Sequence, residues 1–102
     1  MFFINKNTQK GLINMIKNMS QFKKWLEKGK QIQFIENTMK PEMAGGQVRE
    51  INKVQTNAIT TLVNGNDSWL DIPKAKDTKF NEDGTIDIYL NGKFWLKIKP
   101  II

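Results

Sequence analysis

The sequence predicts an α+β domain. A basic, amphipathic N-terminal helix packs on a small, strongly bent antiparallel sheet of five to six strands, in the manner of an SH3-like or OB-like partly open barrel. Three observations carry this. Apolar residues recur at intervals of three and four up to Leu26, the pattern changes to period two from Gln31 onward, and Gly/Asn turn signals punctuate the remainder. At 102 residues, with 39% hydrophobic and 25% charged residues, the chain is one domain over 1–102, with 1–30 the basic helical element and 31–102 the β meander.

The helix rests on Leu12, Met15, Ile16, Met19, Phe22 and Leu26, which line one face. Lys10, Lys17, Lys24 and Lys28 fall on the other side. Thr8 or Asn7 can cap its start, and Gly29 sits where a left-handed C-cap residue belongs. Ser20 offers a second cap, at which the helix either breaks or continues.

The strands follow in order. Gln31–Glu36 is short and alternating. After a loop with Pro41 and Gly45-Gly46, the stretch Gln47–Gln55 spaces Val48, Ile51 and Val54 by three, which implies a bulge or bend. Ala58–Val63 leads through Asn64-Gly65-Asn66-Asp67 into Ser68–Ile72, which Pro73 ends. In the last hairpins Ile86 and Ile88 share a face, as do Phe94, Leu96 and Ile98. A two-residue Asn91-Gly92 loop would set Lys97 opposite Ile86 on the apolar face. A three-residue loop ending in Gly92 sets Ile88 opposite Phe94 and Ile86 opposite Leu96. The same arithmetic at Asn81–Gly84 sets Phe80 opposite Ile86, so both turns are expected to close with a left-handed glycine bulge.

The net charge of +6 is unevenly placed: residues 1–30 hold seven lysines against Glu27, whereas 31–102 hold nine basic and nine acidic residues. Of the sixteen basic residues fifteen are lysine, with Arg49 the exception. The chain has neither cysteine nor histidine, which removes disulfides, thiolate zinc sites and the usual nucleophile–base pairs. The acid pairs Asp67/Asp71 and Glu42/Glu50 have no spacing that singles them out, and the calcium-loop-like Asn64, Asn66 and Ser68 lack the closing glutamate. The sequence therefore points away from an enzyme, and no cofactor or metal is expected. The apolar run Met1–Ile4 is too short for a signal segment and no stretch suits a membrane span, so a cytoplasmic location is expected.

The run Gly46–Lys76, including Lys53-Val54-Gln55-Thr56-Asn57 and Ser68-Trp69-Leu70-Asp71-Ile72-Pro73-Lys74-Ala75, resembles small uncharacterised proteins of phages and mobile elements of low-GC Gram-positive bacteria. The resemblance spans about residues 29–98 and implies an accessory protein working inside a bacterial cell; it transfers no site residue.

Recognition then falls to the surface. On the last hairpin Tyr89, Lys93, Trp95, Lys97 and Lys99 are expected outward, with Trp69 in the core and Trp25 beside the helical stripe. Indoles stack bases while ammonium groups hold phosphates. The first expectation is a sequence-tolerant nucleic-acid-binding module using Lys10, Lys17, Lys24, Lys28, Tyr89, Lys93, Trp95 and Lys97. The competing expectations are a protein-binding accessory or inhibitor factor acting on a host protein, or a small structural subunit of a larger assembly. The oligomeric state is open, a homodimer included.

Overall fold

A computed structural model describes residues 16–102. It holds one helix, α1 (Met19–Trp25), and seven strands: β1 (Gln31–Asn37), β2 (Gln47–Val54), β3 (Ala58–Val63), β4 (Asn66–Asp71), β5 (Thr78–Phe80), β6 (Ile86–Leu90) and β7 (Lys93–Ile101). All pair antiparallel, in the order β4-β3-β2-β1-β7-β6-β5. This corrects the expected barrel of five to six strands under a basic N-terminal helix. The sheet has seven strands because even the three-residue β5 pairs along its length with β6. It stays open because β4 and β5 stand at opposite edges and do not pair.

The sheet is nonetheless curled. Six residues, 72–77, join its two edges, and such a linker reaches about 25 Å at most. Seven flat strands would set their edge axes about 29 Å apart. Bending is concentrated at bulges. In β2, Gln47–Glu50 pair with β1, after which the partner changes to β3 with a register shift between Ile51 and Lys53. A second shift lies in β1 between Phe34 and Glu36, and a third in the β6–β7 ladder.

The helix is shorter than its apolar stripe implied. Asn18 is its N-cap, its side chain accepting the Gln21 amide at 2.9 Å, so Ser20 lies inside the first turn. The helix ends at Trp25, and Gly29 (φ +91°) belongs to a separate turn whose amide reaches the Ile51 carbonyl. Lys17 and Lys28 therefore flank the helix, and no four-lysine helical face exists over the described residues. Lys10, Leu12, Met15 and the caps at Asn7 or Thr8 lie outside them. Met19, Phe22 and Leu26 join Ile32, Phe34, Ile51, Ile59, Ile86, Ile88, Leu96 and Ile98 in one buried core. No helix among the described residues is long and apolar enough to cross a membrane.

The final hairpins give one agreement and one correction. Phe80 pairs with Ile86 as expected, with Gly84 at φ +88°. Between β6 and β7, however, Asn91 (φ 52°) and Gly92 (φ 79°) form a two-residue turn that pairs Leu90 with Lys93. The extra residue sits further along: Tyr89 opposes Phe94 while Ile88 opposes Leu96, which leaves Trp95 bulged. Ile86 consequently faces Ile98, and the lysine conflict disappears without a longer loop.

Candidate functional site

The bulge decides where Trp95 goes. A bulged residue leaves the strict alternation of its strand, and Trp95 packs half-buried against the core instead of facing outward with the lysines. Its carbonyl accepts the Thr38 amide at 2.9 Å and the Thr38 hydroxyl at 3.1 Å. Asn37 then turns the chain, its Oδ1 accepting the amides of Met39 (3.1 Å) and Lys40 (2.9 Å). The segment leaving β1 is thus fastened beside the indole, and it carries Met39 and Lys40 with it.

Two clefts meet at Met39 and Trp95. One, about 270 Å³, is walled by Trp69, Trp95, Met39 and Met43, with Phe34 and Arg49 at its base. The other, about 300 Å³, runs on past Phe94 to Leu90 and Lys93 at the hairpin tip. Together they form a groove bearing three cationic side chains (Lys40, Arg49 and Lys93), and no carboxylate among the described residues lines either part. Trp69, expected in the core, is 56% exposed at the groove wall because the adjacent Leu70 takes the inward position in β4.

Arg49 is the groove's unusual member. It alternates with Ile51 on the inward side of β2 and is 7% exposed. Its guanidinium lies 4.1 Å over the Phe34 ring, and Nη2 donates to the Met43 carbonyl and to Gln47 Oε1 (3.3 Å). Nε is buried without an acceptor, and among the described residues no carboxylate pairs with Arg49. Burial pushes its pKa down from the ordinary arginine value, yet a guanidinium keeps its charge at neutral pH.

The expected site residues divide. Lys93 and Trp95 belong to the groove. Tyr89 does not: it is half-buried, edge-on to Phe94 at 6.0 Å. Lys97 is tied to Asp87, its direct cross-strand neighbour, at 3.8 Å. Lys17, Lys24 and Lys28 are exposed and line neither part of the groove, and Lys10 lies outside the described residues. Trp25 stacks on Phe22 at 6.1 Å, with Lys30 Nζ 5.4 Å from its centroid. The acid pair Asp67/Asp71 is not a site either: Asp67 accepts from Asn52 (2.8 Å) and pairs with Lys53 (3.2 Å).

Met39, Lys40, Arg49 and Trp69 do not stand out as site residues in the sequence. A signal existed for Arg49, the lone arginine of a lysine-rich chain, standing two residues before the apolar Ile51. No family model, curated protein or solved structure matches this chain.

Proposed function

We propose that the domain binds single-stranded nucleic acid in this groove, as a non-enzymatic accessory module of the phage or mobile-element kind. The observation that carries the reading is the pairing of accessible indole surface at Trp69 and Trp95 with Lys40, Lys93 and Arg49 in a concavity that no carboxylate among the described residues lines. Bases stack on aromatic faces for about 1–3 kcal/mol each, whatever their identity, while ammonium groups follow the phosphates. A duplex keeps its base faces covered, so the indoles favour a strand with unstacked bases.

Charge placement separates this reading from a protein-docking surface. A groove built for an ordinary peptide gains nothing from excluding every carboxylate, whereas a polyanion is repelled by each one. The test is a titration of fluorescein-labelled dT12 and of a 12-bp duplex at 50 mM and 200 mM salt. Tighter binding of the single strand, weakening as salt rises, is the expected result. Equal or tighter binding of the duplex, or no binding at 50 mM, would refute it.

A further inference from the structure

We infer that the Arg49 end of the groove reads one base, and that it selects guanine over adenine; this inference rests on the single-strand reading above. The strand as a whole remains sequence-tolerant, because stacking on Trp69 and Trp95 does not distinguish bases. Arg49 is different in kind. It is more than nine-tenths buried at the base of the cleft, and its Nε has no acceptor. Nε is enclosed and both Nη2 hydrogens are donated to Met43 and Gln47, so among the described residues Nη1 is the nitrogen left to donate to an occupant of the cleft.

A guanidinium offers only donors. A base seated against it must present acceptors, and guanine does so with O6 beside N7. Adenine sets its N6 amino group in the place of O6, and donor then meets donor. The two purines stack alike, so the difference between them reports the edge and not the ring. The side chain is already held in place, since Phe34 supports its plane at 4.1 Å and Met43 and Gln47 hold Nη2. Little rotamer freedom remains to be lost on binding. The cleft of about 270 Å³ suits one planar base, which places the reading at a single position.

Four strands of the form dT5-X-dT5 test this, with X as guanine, hypoxanthine, adenine or 2-aminopurine, by fluorescence anisotropy at 50 mM salt. Hypoxanthine keeps O6 and N7; 2-aminopurine lacks O6. The guanine and hypoxanthine strands should bind about tenfold more tightly than the other two. In Arg49→Met and Arg49→Leu, which remove every side-chain donor, the four should agree within twofold while still binding, and circular dichroism checks that each variant is folded. Equal binding of all four strands by the native protein, or a preference that survives in folded Arg49→Met, would overturn the inference. Failure of every strand to bind would instead remove the single-strand reading on which it stands.

Discussion

The segment around α1 and the groove between β1, β4 and β7 both carry cations, but they hold them differently. Lys17, Lys23, Lys24 and Lys28 stand exposed on or beside a seven-residue helix whose other face is core. They form a solvated surface. Lys40, Lys93 and Arg49 border a concavity with aromatic walls and, among the described residues, no acids. Net charge located the first region, and local geometry defines the second. Density of charge steers a polyanion; a cleft with stacking surface gives it somewhere to stay.

The comparison breaks most visibly if the indoles are removed. Trp69→Ala combined with Trp95→Leu should weaken dT12 binding by about a hundredfold, near tenfold for each lost stack. Stability should fall far less than in a core variant such as Leu96→Ala, which is expected to cost about 2–5 kcal/mol. Equilibrium denaturation alongside the titration checks both statements. Deleting Trp95 outright is a sharper version. Because it is the bulged residue, its loss leaves Tyr89 opposite Phe94 and Ile88 opposite Leu96. The shortened hairpin should therefore fold with unchanged inward faces, and lose about tenfold in binding. Backbone amide shifts that scramble from Leu96 onward would show the register assignment to be wrong.

Lys97 sharpens the comparison from another side. Its sequence position suggested a phosphate contact, but its partner is Asp87, whose Oδ1 is buried with no hydrogen-bond donor among the described residues. Lys97→Met should lower stability by about 1 kcal/mol through the unpaired acid, and leave dT12 binding within twofold. A large loss of binding would return Lys97 to the site.

The smallest effect concerns acid stability at the edge of the sheet. The Asn52 amide and Lys53 hold the Asp67 carboxyl below its ordinary pKa. A carboxyl depressed by folding contributes stability that is complete above its unfolded pKa, near 3.9, and is lost as pH falls through the folded value. Asp67→Asn should flatten that acid limb in denaturation curves between about pH 5 and pH 2, and change nothing at pH 7 beyond its constant offset.

The strands were legible because period-two alternation and turn residues are local properties. The Phe80–Ile86 pairing and the bend in β2 followed from them. The β6–β7 register was not, for a physical reason. The apolar pattern fixes only which residues share a face, and one extra residue restores that parity wherever it is inserted. Sequence pattern alone puts it in the Asn91-Gly92 loop; the chain puts it at Trp95. The same shift turned Trp95 toward the core. Trp69 went the other way because Leu70, its neighbour in β4, takes the inward place, so Trp69 alternates outward with Asp67 and Asp71. The groove depends on both displacements, and on Arg49 brought from a third strand, so no single stretch of sequence contains it.

The most direct test separates the two cationic regions by the salt dependence of dT12 binding. Each phosphate contact on a single strand adds about 0.7 to the slope of log K against log salt. The native protein should show a slope of about −1.4 from Lys40 and Lys93, falling toward zero in Lys40→Gln/Lys93→Gln. Lys17→Gln/Lys24→Gln/Lys28→Gln should keep that slope, with affinity changed less than threefold at 150 mM salt, where the screening length is about 8 Å. A slope that survives loss of the groove lysines and disappears with the helix-side lysines would contradict the account.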